Sequence, residues 1–318
     1  MSWTFRMQAA SRTRVAGLAR MAEASSGMRE VLRTARGFFG FAWYVLSATL
    51  LGVFAAMTTS SSAQAQLAHT QTIRYDENNA PSLSGVKNVI VSPDGRFVYA
   101  LTNGYDSISY ASRTPATGLL NPGGWVSSGG VPEGWYASAM SADGRFIYLG
   151  TVGTNTVRVY SRDANGNLTS VQSYTGGGFD LDSAGFLSLA VSPDGRFLYG
   201  TTGQVAGLVV FARDVVNGTL TLVQEHVDGV DGNLLGQSYG DGDGPMNNIA
   251  FSSDGAFMYV TASEDDALNV YARDADTGVV MLQSTLVNNS DGVVGLDGVT
   301  SVVISPDDRF VYAAGKED

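Results

Sequence analysis

Cysteine is absent from all 318 residues. Disulfides, thiolate metal sites and a cysteine nucleophile are thereby excluded, although the absence says little about compartment. Histidine occurs only at His69 and His226, and proline only eight times against thirty-nine glycines. Abundant Gly with frequent Tyr, Phe and Val points to short strands and tight turns. Basic residues are scarce outside the start of the chain. Residues 1–65 hold seven of the nineteen Lys and Arg residues but only two of the thirty Asp and Glu, so 66–318 carries a net charge of −16. A surface that acidic repels phosphate backbones and argues against nucleic-acid binding, while suiting divalent cations or cationic partners. No helical period appears after residue 66.

The one long apolar run is "GFFGFAWYVLSATLLGVFAAM" at 37–57, preceded by Arg29, Arg33 and Arg36 and followed by Ala63 and Ala65 in an A-x-A arrangement. A basic lead, an apolar core and small residues at the end make an export signal, with cleavage after Ala65. The run is also long enough to span a bilayer, which needs roughly 20 residues, so an uncleaved membrane anchor through 37–57 is the competing reading. Met28 is an alternative start to Met1. Either way the expectation is a leader over 1–65 and an extracytoplasmic domain over 66–318, periplasmic, at the cell surface or secreted.

What is abundant is repetition. "VSPDGRFVYA" at 91–100 returns as "MSADGRFIYL", "VSPDGRFLYG", "FSSDGAFMYV" and "ISPDDRFVYA", beginning at Ser92, Ser141, Ser192, Ser252 and Ser305. Spacings of about fifty residues indicate propeller blades or a solenoid. Each unit contains four apolar runs of five to eight residues separated by Gly, Asn or Asp turns, which predicts a four-stranded antiparallel meander. The expected fold is all-β: a β-propeller with about 4.5 blades present, whose blades stack face to face. The fourth runs share Leu168-x-x-x-Gln172, Leu220-x-x-x-Gln224 and Val279-x-x-x-Gln283. Leu67 and Gln71 show the same spacing, so the domain is expected to begin on a fourth strand. The fifth unit supplies two strands only. A fragment of a longer protein is the preferred reading, and a short, imperfectly closed ring the other.

The unit "SPDGRFLY…VVFARDVVNGTLTLVQ" resembles the repeats of lactonase-type β-propellers, also called Tyr-Val-Thr-Asn repeats; the signature stands here as Tyr259-Val-Thr-Ala and Tyr99-Ala-Leu-Thr-Asn103. The resemblance covers roughly 67–318 and implies a ring that has seven blades in the family. The family includes cytoplasmic phosphogluconolactonases, muconate-cyclising relatives and exported repeat proteins of no known activity. The export signal aligns this chain with the last group, and no family catalytic motif carries over residue by residue.

The Ser-Pro-Asp-Gly phrase is turn chemistry: Pro sets φ, Asp caps and Gly takes positive φ. The repeated Arg162-Asp163, Arg213-Asp214 and Arg273-Asp274 read as blade-to-blade struts whose Arg stems cover apolar surface. Both features fall on one rim, so function is sought on the other, among the non-repeating second-to-third loops and blade connectors. There Asp228, Asp231, Asp241, Asp243, Glu264, Asp265 and Asp266 are candidate Ca²⁺ ligands, because oxygen donors on Gly-rich loops suit that ion. Solvated, turn-forming Asp is the alternative, and no EF-hand spacing is present. Gly236-x-Ser238-x-Gly240 matches a nucleophile-elbow pattern without the strand and helix that the elbow needs. His69 and His226 fall on outer fourth strands, poorly placed for acid–base work. The expected function is an exported binding or interaction module, with Ca²⁺ as its candidate stabilising ion, that takes a protein or carbohydrate ligand on the variable-loop rim. The alternative is a lactonase resembling 6-phosphogluconolactonase, acting at a central pocket.

Overall fold

The structure, a computed structural model, describes residues 71–73, 83, 85–102, 107–127, 135–151, 156–175, 185–203, 207–237 and 248–316. The chain divides between Ala68 and His69. The leader, the apolar run 37–57 and His69 lie outside the described residues, as do Ser238, Asp241 and Asp243. Among the described residues no helix is long and apolar enough to cross a membrane.

Eighteen strands are described, and all pair antiparallel in sequence order. The first blade is β1 (Val86–Val91), β2 (Phe97–Thr102), β3 (Ser107–Arg113) and β4 (Leu120–Ser127). The second is β5 (Trp135–Met140), β6 (Phe146–Thr151), β7 (Thr156–Arg162) and β8 (Leu168–Thr175), and the third is β9 (Phe186–Val191), β10 (Phe197–Thr202), β11 (Gly207–Arg213) and β12 (Leu220–Val227). The fourth comprises β13 (Ile249–Phe251), β14 (Phe257–Ala262), β15 (Ala267–Arg273) and β16 (Val280–Val287), followed by the hairpin β17 (Ser301–Ile304) and β18 (Val311–Ala314). The fold is a partial β-propeller. Successive blades meet most closely through their first strands, β1 with β5, β5 with β9, and β13 with both β9 and β17. The first strands therefore form the inner edge of the arc.

Each apolar cluster lies between two blades. Phe97, Tyr99, Leu101 and Ile108 of the first blade pack with Ile147, Leu149, Tyr160 and Leu168 of the second. Phe146 and Tyr148 of the second join Phe186, Leu198 and Phe211 of the third, and Phe197 and Tyr199 of the third join Met258, Val260 and Tyr271 of the fourth. Period-two alternation sends Phe97 and Tyr99 to one side and Val98 to the other. A middle strand flanked on both sides is therefore buried throughout, as β6 and β10 are, whereas β2, which among the described residues packs against a blade on one side, alternates. This is why the sequence reads as near-continuous apolar runs instead of clean alternation.

The turn between first and second strands is built alike in every unit. Gly95 N donates to Ser92 O at 2.8 Å, and Ser92 Oγ donates to the Asp94 carboxylate while accepting from Phe97 N at 3.0 Å. Gly95, Gly144, Gly195 and Gly255 all take positive φ, and Asp308 takes the same place in the fifth unit at φ 54°. The fourth-strand signature differs from its sequence reading in one place. Gln172 exchanges two hydrogen bonds with the backbone of Leu220, and Gln224 does the same with Val280. Val280, not Val279, is thus the counterpart of Leu220, and Val279–Gln283 is out of step by one residue. Spacing alone misaligned it, because "TGVVMLQ" offers two adjacent valines. Gln71 makes the same pair of bonds to Leu120.

Candidate functional site

The repeated charged residues are mechanical. The side chain of Arg162 is almost fully buried; it donates to Asp94 across the blade junction at 2.6 Å, and its Cζ lies 4.9 Å from the Phe97 ring centre. Arg273 repeats this with Asp194 at 2.5 Å and Phe197 at 5.3 Å, and its Nε donates to the Tyr199 hydroxyl at 2.8 Å. Arg213 sits over Phe146 and donates to the Tyr148 hydroxyl, with Asp143 at 4.0 Å. The hydrogen bond from Ser92, helped by Arg162, holds the Asp94 carboxyl far below the usual carboxylate range. Burial pushes the Tyr99, Tyr148 and Tyr199 phenols up to about 12. Each of these hydroxyls donates to the carbonyl of a glycine in the next blade, Gly166, Gly218 and Gly278 respectively. These groups are locked in the blade junctions and are unavailable for chemistry.

A different kind of cluster forms on the opposite rim, where the connector after β12 meets the ends of β10 and β14. Thr201 Oγ1 donates to Asn248 Oδ1 at 3.0 Å, and Thr261 N donates to Asn248 O at 3.0 Å. Gln237 Nε2 donates to Thr261 O, which ties the connector to the blade. Asn248, Thr261 and Gln237 are almost completely buried, yet Asn248 Nδ2, Thr261 Oγ1 and Gln237 Oε1 have no hydrogen-bond partner among the described residues. Buried polar atoms are nearly always satisfied by protein or by a bound molecule, and leaving one bare costs about 1–3 kcal/mol.

The carboxylates singled out in the sequence flank this cluster. Asp265 Oδ2 accepts from Gly236 N at 2.6 Å, and Glu264 N donates to Gly236 O at 3.0 Å, joining the second-to-third loop of the fourth blade to the connector. Burial pushes the Asp265 carboxyl up, against the pull of the Gly236 amide, and neighbouring Asp228 and Glu264 push it further. Asp228 accepts from Leu235 N at 2.7 Å, while Asp266 Oδ1 accepts from Gly298 N at 2.8 Å. Asp231 is an exposed turn residue at φ 53°. Among the described residues no three acidic or histidine side chains converge as a metal site. Asp228, Asp265 and Asp266 each hold a backbone amide of a connector. Asp241 and Asp243, the other two proposed ligands, lie outside the described residues. His226 is on β12, half-buried near the Tyr271 ring, and burial lowers its pKa. Sequence reading missed Thr201, Gln237, Asn248 and Thr261. The available signal was a polar residue set inside an apolar strand, as in "MNNIAF" and "YVTA", but only the fold reveals which of these are buried.

Known structures resemble the described arc. A periplasmic gluconolactonase from Pseudomonas aeruginosa matches with 25% identity and a TM-score of 0.55, covering 72% of this chain and 57% of that one. A candidate 6-phosphogluconolactonase from Bacteroides uniformis matches with 22% identity and a TM-score of 0.53, covering 64% and 55%. A protein from Lactobacillus plantarum gives 20% identity and a TM-score of 0.51 over 64% and 55%. The chain thus spans little more than half the length of these structures. No curated protein matches it. A sequence model described as "Lactonase, 7-bladed beta-propeller" matches residues 23–178 and 138–231, more than half of the chain. These matches overturn the expectation of a pure binding module, because they favour the lactonase alternative. The physical reason for the error is that repeated residues dominate the sequence signal while the rim that differs between family members does not repeat. The chain belongs to the lactonase family of seven-bladed β-propellers.

Proposed function

We propose that the protein hydrolyses lactones at the rim where the Gly236–Gln237 connector meets β10 and β14. Family membership carries this reading, and the 25%-identical periplasmic gluconolactonase supports it. Hydrolysis requires a base to take a proton from water, donors for the oxygen that becomes negative, and a proton for the departing ring oxygen. We assign the base to Asp265, whose raised pKa moves it toward neutrality as a working base should. Asn248 Nδ2 and Thr261 Oγ1, buried and without partners among the described residues, are the donors for the carbonyl oxygen, and Gln237 Oε1 accepts from a substrate hydroxyl. Water adds to the carbonyl carbon, the ring C–O bond breaks, and the proton held by Asp265 passes to the ring oxygen, leaving the open hydroxy acid.

The net charge of −16 over 66–318, with Asp228, Glu264 and Asp265 at the rim, disfavours a phosphate-bearing substrate. An uncharged sugar lactone is therefore preferred to its 6-phosphate. The assignment of the reaction outside the cytoplasm rests on the Arg-led run 37–57 with its A-x-A site, and on the periplasmic neighbour. The test is ring opening of glucono-δ-lactone and of its 6-phosphate, followed by proton release. Turnover of the neutral lactone that falls at least about a hundredfold in Asp265→Asn is expected. Absence of turnover on a panel of lactones, or full activity in that variant, would refute the proposal.

A further inference from the structure

Two connectors on the rim begin with the same turn but enter it on different residues. After β12, Gly229 N donates to Asn233 O at 2.8 Å and Val230 N to Val227 O at 3.2 Å; after β16, Asn289 N donates to Val293 O at 2.9 Å and Ser290 N to Val287 O at 3.2 Å. Asp231 and Asp291 both take positive φ, at 53° and 49°. The residue that opens each turn holds a later amide. Asp228 Oδ1 accepts from Leu235 N at 2.7 Å, and Asn288 Oδ1 accepts from Leu296 N at 3.4 Å. A neutral amide oxygen serves in the second connector, so the turn itself does not require a charge at Asp228.

What differs is the neighbour. Asp228 and Asp265 hold consecutive amides of one connector, Leu235 N and Gly236 N, at 2.7 Å and 2.6 Å. This brings the two half-buried carboxyls into hydrogen-bond reach of each other. In the second connector the loop acid is Asp266, which accepts from Gly298 N at 2.8 Å beside the neutral Asn288. Two carboxylates in contact repel, and a hydrogen bond between them needs a proton on one. Among the described residues the acids acting on Asp265 are Asp228 and Glu264, and the Tyr271 phenol on β15 faces Asp228. Gln237, next along the connector, is 3% exposed, and its Oε1 has no hydrogen-bond partner among the described residues. The amides that the two acids hold therefore set the position of the atom assigned above to a substrate hydroxyl.

We infer that Asp228 is a positioning residue for the proposed lactone hydrolysis, on which reading this role rests, and that its carboxyl shares one proton with Asp265. The pair works as a monoanion. It takes one proton from the attacking water as the water oxygen bonds to the carbonyl carbon. It returns one to the ring oxygen as the ring C–O bond breaks, and so ends in the state in which it began.

The full chain, in a mild detergent that shields the apolar run 37–57, is titrated by NMR of labelled aspartate carboxyl carbons, with the Asp265 signal identified by its loss in Asp265→Asn. Asp265 is expected to titrate in two coupled steps, and in Asp228→Asn in a single step at lower pH. The Asn keeps an acceptor for Leu235 N, as Asn288 does for Leu296 N, and far-UV circular dichroism checks the fold. Asp231→Asn removes the same charge from the same turn at an exposed residue whose conformation Asn adopts readily. It is expected to move the Asp265 midpoint less than about half as far, because an exposed charge is screened. With a lactone, the acid limb of kcat/KM moves to lower pH in Asp228→Asn together with the carboxyl, whereas loss of a merely structural contact lowers the rate evenly across pH. The carboxyl titration uses no lactone, so it decides the shared proton whether or not turnover is found. An Asp265 midpoint unmoved in Asp228→Asn, or moved equally by Asp231→Asn, would overturn the inference.

Discussion

Gly278→Ala and Gly118→Ala are the same substitution in the same backbone conformation, and the structure assigns them different costs. Gly278 has φ +76° and Gly118 +75°, so each alanine bears the left-handed penalty of about 1–2 kcal/mol. At Gly118 the new methyl enters open space and nothing is added. At Gly278 it falls on the Phe197 ring, far inside a normal carbon–carbon separation of ~3.5–4.0 Å. That ring cannot yield: it is buried, with Arg273 at 5.3 Å and Arg196 at 5.6 Å from its centre. Overpacking of a filled junction costs a further ~1–3 kcal/mol. The expected totals are about 2–5 kcal/mol at Gly278 and about 1–2 kcal/mol at Gly118. Equilibrium urea unfolding at about 1 µM, followed by intrinsic fluorescence, reads the difference as a midpoint roughly 0.5–1 M lower for Gly278→Ala. Equal midpoints would refute the claim that the glycine exists to let the Phe ring lie against the backbone.

Other outcomes follow from the same geometry. Tyr199→Phe removes the bond to Gly278 O and strands Arg273 Nε, so a loss of about 1–3 kcal/mol is expected, whereas the exposed counterpart Tyr312→Phe changes urea stability by less than about 0.5 kcal/mol. Asp94 and Asp194 have folded pKa values below their unfolded ones. Their contribution is present above the unfolded carboxylate value of about 3.9 and is lost as pH falls through the lower folded value. Acid titration of the melting temperature therefore shows a decline below about pH 4 that Asp194→Asn shifts and reduces. Asp265 has the opposite sign, since its folded pKa is raised; the acid limb of the lactone rate profile is expected above the ordinary aspartate range and absent in Asp265→Asn.

Much of this architecture was readable from residues alone because it rests on local chemistry. Ser92-Pro-Asp-Gly95 specifies its own turn through the Asp carboxylate and the φ of Gly, and Asp308, which stands in the glycine's place in the fifth unit, takes the same left-handed conformation. The strut role of Arg162 and Arg273 was legible too, since a residue recurring once per blade has a neighbour once per blade. The rim was not legible. Asp265 and Asp266 are adjacent acids in the sequence, yet one supports Gly236 and the other Gly298 in different connectors. Nothing in their spacing distinguishes that arrangement from a shared metal.

Strand count per unit, turn geometry and the repeating faces follow from neighbouring residues, because period-two patterning and turn residues act within a few positions of one another. Which polar residues lose their water depends on how the blades stack. Asn248, Thr261 and Gln237 come from three separate segments, and their unpaired atoms exist because blade stacking buries them together. Blade stacking also decided that Phe97 and Tyr99, which the second blade covers, are sealed from water. A side chain's environment is set by the blade beside it, and that blade is some fifty residues away in the chain.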